Sequence, residues 1–257
     1  MFDGSKNGMT KPLSNPMQII PAILQSHQQD IIDKLEQLSL AGYSGPVQID
    51  LCDGEYVSNK TWPFTDYNNS QEFLKSIHIF EEQMPALQDQ LGKFQIDLDL
   101  MVKYPEQLLS VWNMFNPERI IIHLDSIDDV EGLSISLSSE KTPFEFVRNK
   151  KVVFAISQTT DITLFDYWYN EFDCRSVQVM GIEHIGKQGE PFAEHTYQII
   201  DDLQKRFPEI EIQVDGGVSI PVAHRLQEYG IAACVVGSSL FKDGKIIQNI
   251  KELSGVL

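Results

Sequence analysis

The chain has 257 residues, 42% of them hydrophobic, which is enough to bury a full core in one large α/β domain or two small ones. Its formal net charge of −17 and its pI near 4.6 argue against nucleic acid and anionic membranes as partners, because both would be repelled. An anionic ligand would have to be bound by backbone N–H groups and by one or two lysines.

Eight short segments rich in valine and isoleucine recur along the chain, and each is apolar on both faces, as is typical of buried parallel strands. In chain order they are MQIIPAIL, PVQIDL, FQIDLDLMV, RIIIHLD, VVFAIS, SVQVMGI, EIQVDGGV and ACVVGSSLF. Segments with helical spacing of apolar residues lie between them, among them QQDIIDKLEQL, PEQLLSVWNMF, TLFDYWYNEF, AEHTYQIIDDLQKRF, IPVAHRLQEYG and GKIIQNIKEL. This alternation predicts an α/β protein with the (β/α)8 TIM barrel fold. The structural alternative is a doubly wound open sheet, whose dinucleotide-binding form is disfavoured because no GxGxxG follows the first strand.

The sequence shows no linker or composition break within the barrel pattern. We therefore predict a flexible polar tail over residues 1–16 and a single barrel domain over residues 17–257. No stretch reaches the ~20 apolar residues of a membrane helix, and the tail lacks the charged-then-apolar order of a signal peptide. The three cysteines are widely spaced and odd in number, which favours a reducing compartment, so we expect a cytoplasmic protein.

Two connections between strands and helices are long. SNKTWPFTDYNNS follows the second strand and carries Trp62, Pro63 and Phe64, which suits a lid, a packed loop or an oligomer contact. SIDDVEGLSISLSSEKTP follows the fourth strand and is predicted to be an irregular excursion before the next helix.

The C-terminal ends of barrel strands face the mouth in which such enzymes keep their active site. Here those ends carry mostly acidic side chains, namely Gln48, Asp50, Asp53, Asp97, Asp99, His123, Asp125 and Asp215. If Asp50 faces inward, Asp215 can face it across a bound ligand. Two opposed carboxylates suit the removal of a proton from one face of a carbon and its return on the other.

Acidic residues near a strand end can also cap the following helix, and this structural role is favoured for Asp53, Asp125 and Asp161. Asp50 and Asp215 instead lie within apolar runs, where burying a carboxylate that has no functional role would cost stability. They are therefore the predicted catalytic pair. For His123 the choice between a hydrogen-bonded core residue and a ligand stays open.

Loops with glycine follow three neighbouring strands and predict an anion site. VDGGV and VVGSSLF place four residues where the phosphate site of such barrels lies, namely Gly216, Gly217, Gly237 and Ser238. The loop after the sixth strand, GIEHIGKQGEPF, adds Gly186 and Gly189 around Lys187, which could supply positive charge.

With these residues in place, the chain resembles the ribulose-phosphate 3-epimerase family over nearly everything from Gln18 to Lys242. IIPAILQSHQQDI is similar to the family's first strand and helix, VQIDLCDGEYVSN to its His-x-Asp-x-Met-Asp-Gly stretch, and IDLDLMVKYPEQ to its Asp-x-His-Leu-Met-Val segment. VQVMGIEHIGKQGEPF resembles the Val-Met-x-Val-x-Pro-Gly-Phe-Gly-Gly-Gln loop. The best-matching segment is IQVDGGVSIPVAHRLQEYGIAACVVGSSLF.

The resemblance implies a sugar-phosphate epimerase that interconverts ketopentose phosphates of the ribulose 5-phosphate and xylulose 5-phosphate type. The family's two acid/base aspartates, which exchange a proton with C3, correspond to Asp50 and Asp215. Its phosphate contacts correspond to Gly186, Lys187, Gln188, Gly189, Gly216, Gly217, Gly237 and Ser238. The implied partner is a small-molecule phosphosugar, and the resemblance leaves open whether the protein is a homo-oligomer.

The sequence departs from the family at its metal, which the family holds with the two aspartates and two histidines. Gln48 and Asp99 occupy the histidine positions here. The all-oxygen set of Gln48, Asp50, Asp99 and Asp215 would favour Mg²⁺ or Mn²⁺ over Zn²⁺, relative to the family. The alternative is that no cation binds and the carboxylates repel one another, which raises the pKa of one of them.

Other family positions also differ. Ala22 replaces a substrate-contacting serine, Cys52 replaces a methionine, and His184 with Ile185 replaces Pro-Gly-Phe. Because both metal-binding histidines are gone, a non-catalytic phosphosugar-binding barrel is one alternative function. A decarboxylase or aldolase of the same superfamily is a weaker one, because that group uses Asp-x-Lys-x-x-Asp on the third strand and DLDLMV contains no lysine.

Overall fold

A computed structural model describes residues 17–138 and 152–255. Over these residues eight strands close into a barrel in chain order, and every neighbouring pair, including the last with the first, is parallel. The strands are β1 (Gln18–Ile23), β2 (Pro46–Cys52), β3 (Gln95–Met101), β4 (Arg119–His123), β5 (Val152–Ile156), β6 (Ser176–Met180), β7 (Glu211–Asp215) and β8 (Ala233–Val236). The predicted TIM barrel is confirmed and the open sheet is wrong, while the predicted tail over residues 1–16 lies outside the described residues.

Helices follow the strands on the outside of the barrel. In the described part of the chain they are α1 (Gln28–Leu40), α2 (Ser70–Lys75), α3 (Ile77–Leu91), α4 (Pro105–Trp112), α5 (Val130–Ser138), α6 (Phe165–Glu171), α7 (Thr196–Arg206), α8 (Ile220–Glu228) and α9 (Ile246–Ser254). None of these helices is long and apolar enough to cross a membrane.

Helix α5 corrects the prediction of an irregular excursion after the fourth strand. Leu133 and Leu137 lie four residues apart, so both fall on one helical face and are buried in the main hydrophobic core. Residues 139–143, the end of the stretch predicted to be irregular, lie outside the described residues.

The loop that carries Trp62 is packed against the protein. Trp62 and Phe64 are buried, and their rings contact Phe73, Phe80 and Trp112 in an aromatic cluster between β2 and the following helices. Ring burial of this kind stabilises the fold. The packed-loop alternative is therefore confirmed for Trp62 and Phe64.

Alternation along the strands places one set of side chains inside the barrel and the other against the helices. Asp97 belongs to the inner set, but it lies at the opposite end from the mouth, beside the start of β4. Its carboxylate accepts two hydrogen bonds from Arg119, one from Nε at 3.0 Å and one from Nη2 at 2.5 Å. Asp97 was expected at the mouth, and the structure assigns it instead to a buried ion pair at the barrel floor.

Candidate functional site

Three buried aspartates meet inside the barrel near the C-terminal ends of its strands. Asp50 comes from β2, Asp99 from β3 and Asp215 from β7. Each offers a carboxylate oxygen, and these oxygens all lie within 4.8 Å of one another. The predicted pair, Asp50 and Asp215, is therefore brought together from separate walls, with Asp99 as a third carboxylate beside it.

Side-chain amides of glutamine separate the three carboxylates. Gln48 Nε2 donates to Asp50 Oδ1 at 2.9 Å and to Asp215 Oδ2 at 2.7 Å, and it lies 3.4 Å from Asp99 Oδ2. Gln178 Nε2 donates to Asp99 Oδ2 at 2.7 Å and lies 3.3 Å from Asp215 Oδ2. The partial positive charge of two NH2 groups thus lies where three negative charges would otherwise repel one another.

Burial and mutual repulsion change the proton affinity of the aspartates. Desolvation, followed by the charges of Asp215 and Asp99, raises the pKa of Asp50 well above its ordinary value. Desolvation and the charge of Asp99 raise the pKa of Asp215 to about 7, although the hydrogen bond from Gln48 opposes this. Near neutral pH this pair can therefore hold one proton and one negative charge, which is the state an acid/base pair needs.

His123, the last residue of β4, lies beside Asp99 and is fully buried. Its Nε2 atom is 2.9 Å from Asp99 Oδ1, and its ring packs against the ring of Tyr56, with the centroids 5.2 Å apart. His123 Nδ1 has no hydrogen-bond partner among the described residues. The question left open by the sequence is answered in favour of a histidine that holds Asp99 in place.

The donor set fits a hard divalent cation. Asp50, Asp99 and Asp215 supply carboxylate oxygens, which are the ligands that Mg²⁺ and Mn²⁺ prefer. Gln48 Oε1 is buried and has no hydrogen-bond partner among the described residues. A half turn of the Gln48 amide exchanges Nε2 for Oε1 at the point where the carboxylates converge, which would add a fourth oxygen.

A cavity of about 250 Å³ joins the aspartates to the glycine loops. Its lining includes Asp50, Asp215 and all eight predicted phosphate-binding residues, which are Gly186, Lys187, Gln188, Gly189, Gly216, Gly217, Gly237 and Ser238. The backbone N–H groups of Gly217, Gly237 and Ser238 donate to no other described residue. Free N–H groups in glycine loops are a means of binding phosphate in a strongly acidic protein.

Glycine is required at position 217 for two reasons. Its φ is +68°, and a Cβ atom there would lie 2.6 Å from the Cα of Phe192. Gly237 differs, because its φ is ordinary and a Cβ atom would meet only the Gln188 side chain, at 3.6 Å. A side chain added at Gly237 would therefore fill the cavity without breaking the fold.

Part of the loop after β2 contacts the loop after β6. Asn59 Nδ2 donates to the carbonyl oxygen of Gly186 at 2.9 Å. Val57 is buried against the same glycine, since a Cβ atom at Gly186 would lie 2.8 Å from Val57 Cγ2. Val57 and Asn59 thus connect the β2 loop to the β6 loop at Gly186, which lines the cavity.

The aspartates with predicted structural roles are satisfied locally. Asp161 caps a short helical turn by accepting from Thr163 N, as expected. Asp53 accepts three backbone N–H groups from two loops, and Asp125 accepts two hydroxyl groups. Asp53 and Asp125 therefore stabilise loops instead of capping helices.

No sequence motif marks Gln178 or Gln213, although both contribute to the site. Gln213 Nε2 donates at 2.5 Å to Gln178 Oε1, the amide oxygen of the side chain whose NH2 group donates to Asp99. The signal that could reveal them is strand alternation, because Gln213 shares its face with Asp215. A polar residue at an inward position of a barrel strand needs partners inside the barrel.

The sequence profile of the ribulose-phosphate 3-epimerase family matches residues 18–241 of this chain. The ribulose-phosphate 3-epimerase of Helicobacter pylori is 22% identical over 251 residues, covering 92% of this chain and 99% of that protein. The ribulose-phosphate 3-epimerase of Eremothecium gossypii is 24% identical over 238 residues, covering 91% and 87% respectively. All the candidate site residues lie within the matched span.

Solved structures share the fold. The 3-keto-L-gulonate-6-phosphate decarboxylase of Vibrio cholerae gives a TM-score of 0.58 at 11% identity, covering 94% of this chain and 97% of its own. The 3-hexulose-6-phosphate synthase of Salmonella typhimurium gives 0.52 at 14% identity, covering 94% and 98%. At these identities the likeness concerns the fold alone.

Proposed function

The chain belongs to the ribulose-phosphate 3-epimerase family, and from this premise we propose that it is a cytoplasmic sugar-phosphate epimerase acting on a ketopentose phosphate. The observation that carries the proposal is that Asp50 and Asp215 line one cavity with the glycine loops and both have raised pKa values. The reaction is proton removal at C3 and return of a proton to the opposite face, as in the ribulose 5-phosphate and xylulose 5-phosphate pair.

The two aspartates exchange roles in this reaction. The ionised carboxylate takes the C3 proton, the C3–H electron pair forms the enediolate, and the protonated carboxyl on the other side then donates to C3. Each turnover therefore leaves the proton on the aspartate that began as the base. A pKa of about 7 for Asp215 keeps both of its forms populated near neutral pH.

The enediolate is negatively charged, so unshielded carboxylate charge close to it would destabilise it. Gln48 and Gln178 direct their Nε2 atoms to the carboxylates at the cavity floor, where they limit the negative charge that faces the intermediate. A divalent cation, if held by Asp50, Asp99, Asp215 and Gln48, would supply polarisation of the substrate carbonyl.

Hydrogen exchange tests the proposal directly. Ribulose 5-phosphate incubated with the protein in deuterated water, with Mg²⁺, Mn²⁺ or Zn²⁺ added separately, should gain deuterium at C3. Exchange reports proton removal even when net epimerisation is slow. Absence of C3 deuterium with every ion, from a protein that is folded by circular dichroism, would count against an epimerase.

A non-catalytic phosphosugar-binding barrel is the second candidate. It is supported by the hydrogen bonds from Gln48, which satisfy Asp50 and Asp215 without any cation. Under this function ribulose 5-phosphate binds, as calorimetry would measure, but no C3 exchange follows. A decarboxylase or aldolase has less support, since Asp97 is bound to Arg119 and β3 carries no lysine.

A further inference from the structure

A second cavity, of about 210 Å³, adjoins the main one on the side of β1 and β8. Gln188, Ser238 and Lys242 line both cavities, so the two are in contact at the glycine loop after β8. The second cavity is completed by Gln25 after β1 and by Lys34 of α1. Nothing in the proposed reaction at C3 requires this space.

The second cavity is positively charged in a strongly acidic protein. Lys34 and Lys242 both line it, and no aspartate or glutamate does. The ion pairs among the described residues include neither lysine, whereas Lys205, for example, pairs with Asp202. In a chain with a net charge of −17, two lysines without carboxylate partners at one cavity indicate an anionic ligand.

The fold holds the Lys34 side chain and the backbone of the loop that carries Lys242 in position. Lys34 is half-buried, and its Nζ atom lies 4.4 Å from the centroid of the Phe241 ring, a cation–π contact. The loop that carries Lys242 is tied to α9, because Asn249 Nδ2 donates to the carbonyl oxygen of Leu240 at 3.0 Å. The cavity is thus formed before any ligand arrives.

We propose that this second cavity binds a second phosphoryl group, joined to the first, so that the protein accepts diphosphate esters of a ketose. The inference rests on the proposed function, because it takes the glycine loops as the site of the first phosphate. Since Ser238 lies in both cavities, the second group must be attached at the phosphate end of the ligand. A phosphate at the far end of the sugar would lie elsewhere.

Calorimetric titration with inorganic phosphate and inorganic pyrophosphate tests this inference on the full chain without divalent cations. Pyrophosphate should bind about tenfold more tightly than phosphate, a difference of ~1.4 kcal/mol that one added charged hydrogen bond can supply. Lys34→Gln should remove that advantage and leave phosphate binding unchanged. Lys251→Gln, which removes the same charge from an exposed position on α9, should change neither affinity.

Two further variants separate the possible failures. Gly237→Val should abolish binding of both anions, because its side chain fills the first phosphate site, and Lys242→Gln should weaken both. Equal affinities for the two anions, or equal behaviour of Lys34→Gln and Lys251→Gln, would overturn the second phosphoryl site while phosphate binding still supports the proposed function. Phosphate binding that is insensitive to Gly237→Val would instead contradict the proposed phosphate site itself.

Discussion

Gln213 fixes the direction of the Gln178 amide. Gln213 Nε2 donates to Gln178 Oε1 at 2.5 Å, so the other end of the Gln178 amide, its NH2 group, must face Asp99 and Asp215. A reversed Gln178 would place two donors against each other and an oxygen against two carboxylates. The pair therefore directs a hydrogen-bond donor towards the carboxylates of Asp99 and Asp215.

Replacement of Gln178 by methionine should destabilise the protein. The variant keeps the volume of the side chain but removes the 2.7 Å hydrogen bond to the buried Asp99 Oδ2, which would retain only the longer contact from Gln48, at a cost of about 1–3 kcal/mol. Urea unfolding measures this loss. Gln198→Met on α7, which removes an exposed hydrogen bond to Asp202, is the matched control and should have little effect. Equal midpoints for the two variants would show that Gln178 does not hold the carboxylates.

Arg119→Met should destabilise the barrel floor. Asp97 is almost fully buried, and the Arg119 guanidinium is its only charged partner among the described residues. Removal of one member of such a pair leaves a buried charge uncompensated and costs roughly 3 kcal/mol. The free energy of unfolding from urea titration checks the magnitude.

A double variant distinguishes this effect from a general loss of packing. Asp97→Leu combined with Arg119→Met removes both charges, so stability should return to within about 1 kcal/mol of the wild type, because the apolar pair needs no compensation. If the double variant is as unstable as Arg119→Met, the arginine acts through its packing. C3 exchange should persist in the folded double variant, since neither residue lines the cavity.

The strands and the positions of Asp50 and Asp215 could be predicted because local patterns determine them. Runs such as RIIIH are apolar on both faces and form strands in almost any barrel, and a strand end fixes which residues reach the mouth. Asp50 and Asp215 follow from that rule. Helix α5 was harder to predict, because its serines and Gly132 favour turns and only the burial of two leucines compensates.

The polar interior of the barrel could not be derived from local pattern. Asp97 and Asp99 lie two residues apart on one strand face, yet one is paired with Arg119 and the other lies among amides and His123. That difference depends on which residues the neighbouring strands place at the same height, which is a matter of register between distant segments. Gln178 requires the same knowledge.

Asp50→Asn and Asp215→Asn should lose deuterium exchange at C3 from different epimers. If each aspartate serves one face of C3, each variant should retain exchange from only one of the two epimers, ribulose 5-phosphate or xylulose 5-phosphate, and the variants should retain different ones. Net epimerisation should fall by ~10²–10⁴ in both, which is the usual contribution of an acid/base group. Mass spectrometry of each epimer in deuterated water measures the pattern.

The control for this pair is Asp202→Asn, an exposed aspartate on α7 that should leave both exchanges unchanged. Loss of exchange from both epimers in both variants would indicate one shared step and contradict the division of faces. Retention of full epimerisation in either variant would remove that aspartate from the reaction.

The buried aspartates should make the cation-free protein less stable as the pH rises. Folding raises the pKa of Asp215 from its ordinary 3.8 to about 7, and Asp50 shifts in the same direction. The folded state then binds these protons more tightly than the unfolded state. The contribution of these groups to the free energy of unfolding is therefore greatest below about pH 4. It declines towards pH 7 by up to about 1.4 kcal/mol per pH unit for each proton that the folded state binds and the unfolded state does not.

Urea unfolding of EDTA-treated protein across this pH range measures the decline, and Asp215→Asn should reduce it. Mg²⁺ or Mn²⁺ should restore stability near neutral pH but not in acid, because a cation and protons compete for the same carboxylates. Zn²⁺ should restore less than it would in a site with two histidines, since Gln48 and Asp99 offer only oxygen. If no ion raises stability at any pH, the three aspartates bind protons but no metal. Their negative charge is then balanced by hydrogen bonds from the amides of Gln48 and Gln178.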